Sequence, residues 1–402
     1  MNPLLDLLKP YPFQRLAELK KAIHPNAKLK HIPLSIGEPD HEPPDFVFDA
    51  INNNLDSLAQ YPTIQGLPEL RETLSNWIEK RNNLGDGQID PETQVLPVNG
   101  TREALFSFAQ AVINNKEKDP LVIMPNPFYQ IYEGAAILAG ATPYFVNACE
   151  RTYYIPEFNS IPTSIWQHCQ LLYICTPGNP SGEIIDKQLM QHLIKLAYEH
   201  NFILASDECY SEIYQDEDRR PPGLLEAAND MGYRDFENLI VFNSLSKRSN
   251  VPGLRSGFVA GDKNLIEKFL LYRTYHGSAM SLPTQRASIA CWNDEQHVKI
   301  NRGLYRERFK AFVDILSPVL EIKAPPASFY IWLKVPHGDD EQFTSSLFQE
   351  QHITVLPGSY LSRTTGHANP GIGYVRIALV APLEDCIEAA QRIRTFLKRY
   401  KH

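Results

Sequence analysis

The sequence predicts an α/β protein: a large domain on a seven-stranded, mostly parallel sheet, followed by a smaller α+β domain. Three observations support this. From Gln94 onward, short apolar runs alternate with longer amphipathic segments, the pattern of helices crossing over a parallel sheet. The 402 residues exceed the roughly 250–300 at which single cores stop growing. After about Ser281 the pattern changes to a long helical region reaching Ile322, then to strands and a final helix.

Taken in order, residues 1–40 are proline-punctuated and read as an arm that crosses a surface, ends at Gly37-Glu38-Pro39-Asp40 and belongs with the small domain. Helices are expected over Pro44 to Ala59 and Leu67 to Arg81, separated by the loop Tyr61 to Gly66. The strands expected in the large domain, residues 41–285, are Gln94 to Val98, Leu121 to Met124, Thr142 to Val146, Gln170 to Cys175, Phe202 to Ser206, Leu239 to Phe242 and Arg255 to Ala260. In the small domain, residues 286–402, strands are expected at Ser328 to Val335, Thr354 to Leu356 and Tyr374 to Val380, then a helix to Lys398.

Composition narrows the function. With 43% hydrophobic and 21% charged residues the chain has an ordinary globular make-up, and a net charge of -8 argues against non-specific binding to nucleic acid or anionic membrane. No segment approaches the roughly eighteen consecutive apolar residues of a membrane span, and the N-terminus lacks the marks of a signal peptide. A cytoplasmic protein is expected, its six scattered cysteines free thiols.

The chemistry concentrates after the strands, where open α/β sheets bind ligands. Ser244, Ser246, Lys247 and Arg255 share one polar turn between two apolar runs. Two hydroxyls and a guanidinium suit a phosphate monoester. An amine among apolar strands and a neighbouring cation would have a lowered pKa and could form a Schiff base with an aldehyde. Phosphate plus aldehyde suggests pyridoxal phosphate, while solvated loop charges are the alternative for this turn alone. Asn99-Gly100-Thr101-Arg102 opens a helix whose N-terminal amides could bind phosphate, with Asn99 also acceptable as its N-cap. Asn179 stands between rigid neighbours at a strand end, where its amide could donate to a fixed oxygen. Asp207 terminates an apolar strand and needs a cation or hydrogen bonds; a pyridinium nitrogen would serve, as would a salt bridge or helix cap. Arg376, alone in an apolar run, calls for an anion such as a substrate carboxylate, unless it reaches water from an edge strand. Gly371-Ile372-Gly373 precedes a strand and is no dinucleotide fingerprint, and the spacing of Asp, His and Cys offers no metal cage.

In this order these residues resemble the fold-type I pyridoxal-phosphate aminotransferases of class I/II, over nearly the whole chain. The most specific element is S-x-S-K-x-x-x-x-P-G-x-R, present from Ser244 to Arg255, with Asn179-Pro180, Asp207 to Tyr210 and Val375-Arg376 in register. The resemblance implies that Lys247 binds the cofactor aldehyde and then acts as base and acid. It implies Asp207 at the ring nitrogen, Asn179 and Tyr210 at the ring 3-oxygen, and Tyr129 stacked on the ring. Backbone amides of Gly100, Thr101 and Arg102, with Ser244, Ser246 and Arg255, would hold the phosphate. Arg376 and the backbone at Gly37 would take the substrate α-carboxylate, with Asn179 beside them. Tyr61, in Y-x-x-x-x-G-x-x-x-L-R, would reach the phosphate of a partner subunit, implying a homodimer with shared sites.

Longer stretches, among them Leu96 to Phe106, Pro125 to Tyr132 and Tyr272 to Gly277, are similar to bacterial succinyldiaminopimelate transaminases. Those exchange an amino group between N-succinyl-L,L-diaminopimelate and 2-oxoglutarate/glutamate, so a second cation must meet a distal carboxylate; Arg102, Arg273 and His276 are candidates. Other readings are an aromatic, aspartate or alanine aminotransferase, a carbon–sulfur lyase with the same cofactor, or a non-catalytic effector-binding domain of this fold.

Overall fold

The computed structural model describes residues 1–400. In chain order its strands are β1 (Ile32–Pro33), β2 (Val95–Val98), β3 (Leu121–Asn126), β4 (Thr142–Asn147), β5 (Cys169–Cys175), β6 (Ile203–Asp207), β7 (Leu239–Ser244), β8 (Gly257–Gly261), β9 (Tyr330–Lys334), β10 (Ile353–Thr354), β11 (Leu356–Pro357) and β12 (Tyr374–Ala378). Seven of these form one sheet in the order β2-β8-β7-β6-β5-β3-β4. It is parallel from β4 to β7, while β8 runs antiparallel to both β7 and β2.

The inner strands of this sheet are buried on both faces, with successive side chains entering different cores. In β5, Leu172 and Ile174 join the core that holds Leu74 and Leu193, whereas Leu171 and Tyr173 join the one that holds Phe108 and Phe269. In β7, Leu239 and Val241 go to the first and Ile240 and Phe242 to the second. Helices cover both faces, as continuous apolar runs require.

A second unit holds the antiparallel sheet β11-β12-β9 and the parallel pair β1-β10. Its core joins Ile32 and Leu34 of the arm to Phe309, Ile331, Val375 and Ile393. The arm is therefore fastened to the C-terminal part of the chain by strand pairing as well as by apolar contact.

Several boundaries differ from expectation. The helix expected over Pro44 to Ala59 is an α-helix at Asp45–Asn52 and a 3-10 turn at Leu55–Ala59. Its break falls at Asn52-Asn53-Asn54, where the Asn54 side chain donates to the Ala50 carbonyl and competes with the helix. The long helical region divides into Leu282–Asn293 and Gln296–Leu316, with Asp294 accepting from the His297 N–H at 2.9 Å. The strand expected at Thr354 becomes two short ones, β10 and β11, in different sheets. Arg255 is not in β8: it sits in a left-handed turn at φ +52° before the strand begins.

In the central sheet the ends of β5, β6 and β7 lie side by side, with Cys175 opposite Asp207 and Asp207 opposite Phe242. A cavity of about 390 Å³ opens beyond these carboxyl ends.

Candidate active site

Lys247 reaches this cavity because β7 ends at Ser244, whose hydroxyl accepts from the Ser246 N–H at 3.2 Å and starts the short helix Leu245–Arg248. Its Nζ donates to the Gly37 carbonyl and lies 5.2 Å from the centre of the Phe329 ring. Loss of water lowers its pKa from 10.5 to about 8, helped by the Arg376 and Arg255 charges and opposed by Cys209 and Glu38.

Asp207 ends β6 with its side chain buried. It accepts from the Tyr132 hydroxyl at 2.7 Å and from the Cys209 N–H at 3.2 Å. Desolvation raises its pKa, and these hydrogen bonds pull the other way. Among the described residues no lysine, arginine or histidine forms a salt bridge with it, so the carboxylate awaits a cation from the cavity. Tyr132 carried no role in the sequence reading. It stacks on Tyr173 at 4.7 Å and is fully buried, and the signal was its phenol: a hydroxyl at a buried helix position needs a partner.

The helix Thr101–Val112 points its N-terminus at the same cavity. Its N-cap is Gly100, not Asn99; the Asn99 amide instead donates to the Ala279 carbonyl at 3.3 Å. Gly100 has φ +81°, and a Cβ there would collide with the Arg255 guanidinium, so glycine lets that side chain approach the helix end. Arg255 donates to the Pro252 carbonyl at 2.8 Å and lines the cavity with Thr101, Ser244 and Ser246. Residues from two distant stretches thus present hydroxyls, a guanidinium and a helix N-terminus together, with the Gly100 N–H already taken by the Val98 carbonyl at 2.8 Å.

On the opposite side Arg376 of β12 is buried, donating to the Asn179 amide oxygen at 2.9 Å and to the Ser35 carbonyl at 2.8 Å, while its Nε has no partner. Its guanidinium carbon lies 4.3 Å from the Tyr330 ring centre. This fixes the Asn179 amide so that its NH₂ remains free to donate. The Tyr210 hydroxyl lies 3.0 Å from that of Tyr330, inside the cavity. Gly37 lines the cavity with its carbonyl accepting from Lys247, and a Cβ there would strike Tyr330 and Phe329. Tyr129 lines the cavity edge-on to Tyr132 at 5.7 Å, and burial pushes its phenol pKa up. Tyr61 is fully exposed and stands outside the cavity of its own chain. Of the expected distal cations only Arg102 lines it. Arg273 is buried against Glu103 at 2.5 Å, and His276 lies 4.0 Å from the same carboxylate.

A pyridine that carries an aldehyde and a phosphate ester meets here a lysine amine, a cation-free carboxylate and a donor-rich helix end, so the cavity fits pyridoxal 5′-phosphate. Fold and site define a pyridoxal-phosphate enzyme. The family model for aminotransferase class I and II matches residues 30–393, and the chain belongs to that family. It is 33% identical over 395 residues to the LL-diaminopimelate aminotransferase of Aquifex aeolicus, covering 97% of each chain. The crystal structure of an aminotransferase from Neisseria meningitidis matches with TM-score 0.94 at 50% identity, over 98% of this chain and 100% of that one. A probable N-succinyldiaminopimelate aminotransferase from Thermus thermophilus matches with TM-score 0.84 at 27% identity, over 95% and 99%. The protein is a pyridoxal-phosphate-dependent transaminase that acts on amino-acid and keto-acid substrates.

Proposed function

We propose that the enzyme exchanges an amino group between N-succinyl-L,L-diaminopimelate and 2-oxoglutarate/glutamate, in diaminopimelate and lysine biosynthesis. The charge of the cavity wall supports this substrate. Lys247, Arg102, Arg255 and Arg376 line it, and the only acid among its lining residues is Asp207 at the strand end. An N-succinylated distal end carries only anions and suits such a wall, whereas a free distal ammonium would find no facing carboxylate. The name of the Thermus thermophilus protein agrees with this choice. The second reading is unblocked L,L-diaminopimelate, favoured by the name of the Aquifex aeolicus relative and by Glu38, an exposed acid next to Gly37 whose charge reaches Lys247.

Lys247 would carry the cofactor, with Asp207 at the ring nitrogen, Asn179 and Tyr210 at the ring oxygen and Tyr129 against the ring. The amides of Thr101 and Arg102, with Ser244, Ser246 and Arg255, would hold the phosphate, the expected Gly100 N–H being bonded to the Val98 carbonyl instead. When bound, pyridoxal phosphate supplies an electron sink that makes the substrate Cα–H acidic. The residues of this chain do the rest. Arg376 pairs with the α-carboxylate and so fixes which substrate bond faces Lys247. With a pKa of about 8, Lys247 Nζ is part free base at neutral pH; it takes the Cα proton and holds it until it is handed on. Burial raises the Asp207 pKa while the hydrogen bonds from Tyr132 and Cys209 favour its ionised form, and the carboxylate would pair with the protonated ring nitrogen. The exposure of Tyr61, with Leu55 and Leu58 also outward, supports a homodimer in which Tyr61 completes the partner's phosphate site.

The test is the visible spectrum of the purified holoenzyme on addition of glutamate, then of N-succinyl-L,L-diaminopimelate or L,L-diaminopimelate. Loss of the cofactor band with glutamate and with the succinylated compound, at least tenfold faster than with the free diamine, is expected. Faster conversion by the free diamine selects the second reading. Conversion by glutamate alone keeps the transaminase and removes the diaminopimelate substrate; release of ammonia and a keto acid would point to the lyase.

A further inference from the structure

We propose that Asn301 is a positioning residue for the proton transfer: its side chain clamps the backbone at Lys247, so that the helix Gln296–Leu316 sets where the Lys247 amine stands. The inference rests on Lys247 carrying the cofactor, as in the reading above.

The helix that bears Lys247, Leu245–Arg248, is a single turn. The Ser249 N–H closes on the Leu245 carbonyl, so the carbonyls of Lys247 and Arg248 have no partner within the turn. Buried Asn301 supplies one. Its NH₂ donates to the Lys247 carbonyl at 3.1 Å and to the Arg248 carbonyl at 3.2 Å. Its oxygen accepts from the Asn250 amide at 2.7 Å, and the Asn250 oxygen accepts in turn from the Tyr305 hydroxyl at 3.5 Å. Each donor in this chain meets an acceptor, which fixes the Asn301 amide with its NH₂ toward Lys247. The next two residues are held as well. The Arg248 guanidinium donates to the Cys291 carbonyl at 2.8 Å and lies 4.7 Å from the Trp292 ring centre, and the Ser249 hydroxyl is 2.8 Å from His297 Nε2.

The same helix reaches the other end of the Lys247 side chain. Tyr305, one turn beyond Asn301 and fully buried, packs its ring 5.5 Å from that of Phe329, the ring that lies 5.2 Å from Lys247 Nζ. Four methylenes would let Nζ sweep widely, and a misplacement of about 1 Å at a reacting atom can cost roughly 100-fold in rate. A backbone pinned by Asn301 and an aromatic wall backed by Tyr305 restrict that sweep from both ends. Phe309 and Phe312 of this helix share a core with Val375 and Ile377 of β12. The amine that takes the proton and the guanidinium of Arg376 are therefore set from one framework.

The test is the half-reaction with glutamate, and with glutamate deuterated at Cα, followed at the cofactor band in folded Asn301→Asp and Asn301→Ala. Asp keeps the shape and the acceptor for Asn250 but turns an oxygen toward the two carbonyls, while Ala removes the amide without adding charge. Both should lose about 10- to 100-fold in maximal rate, with half-saturation by glutamate within about threefold of wild type. The deuterium isotope effect should be at least that of wild type, because the slowed step is the proton's. Borohydride reduction and peptide mass analysis should still find the cofactor on Lys247. Maximal rates within about threefold of wild type overturn the proposal, as does a loss carried by half-saturation. An isotope effect that falls also overturns it, since another step has then become slow. Cofactor trapped on a residue other than Lys247 in the wild type removes the reading of Lys247, and the proposal with it.

Discussion

Tyr132→Phe isolates the support given to Asp207. The hydroxyl lies 2.7 Å from the carboxylate, while the ring keeps its stacking on Tyr173, so the variant deletes one hydrogen bond and preserves the packing. What remains comes from Cys209, through its N–H at 3.2 Å and its thiol. A hydrogen bond to a charged group contributes about 1.5–3 kcal/mol. Without that bond the Asp207 pKa, already raised by burial, should climb further. If that loss is felt in the transition state, kcat/KM falls about 10- to 150-fold. The sign for pH follows: a harder-to-ionise Asp207 is neutralised earlier as pH falls, so the acid limb of the kcat/KM profile should move to higher pH. The assay is steady-state transamination with glutamate across pH, with circular dichroism as the check on folding. A folded variant within threefold of wild type, its acid limb unmoved, would refute the argument that Tyr132 keeps Asp207 ionised.

Two further outcomes test other parts of the site. With its pKa lowered to about 8, Lys247 should make the apoprotein capture pyridoxal phosphate at a rate that rises with pH and levels off above about pH 8; a rate still climbing beyond pH 10, as for a free lysine, would contradict its desolvated setting. By the same linkage the unfolded lysine keeps its proton up to its ordinary 10.5, so the apoprotein should gain stability as pH rises from about 8, and Lys247→Met should flatten that gain. For the homodimer, Tyr61→Ala and Lys247→Ala should each be nearly inactive alone yet recover up to about a quarter of the activity when mixed and reassembled, since one site then holds both native residues. No recovery, with mixed dimers demonstrated by mass, would count against a Tyr61 supplied across the interface.

Much of the large sheet was readable because its inner strands are buried on both faces and so stand out as apolar runs. The strand ends then located Asp207, Asn179 and the Lys247 turn. The two-residue strands β1, β10 and β11 were not readable as such, since a period cannot be seen in two positions. Arg102, Arg273 and His276 looked alike in one dimension. What separates them is Glu103, which takes Arg273 with His276 nearby and leaves Arg102 free, and that choice is made only when the helices Thr101–Val112 and Lys263–His276 pack together. Tyr132 was missed for a similar reason: its hydroxyl meets a residue 75 positions away.

The pairing of Ile32 with Ile353 has a consequence for how the enzyme comes into being. Ser35 and Arg376 are 341 residues apart, and the carbonyl that receives Lys247 lies two residues beyond Ser35. During synthesis the arm emerges long before the strand it pairs with. Contacts of such separation form late. The strand ending in Asp207 and the turn bearing Lys247 can be complete before the wall bearing Arg376 exists, so the substrate side of the cavity is built after the side that holds Lys247.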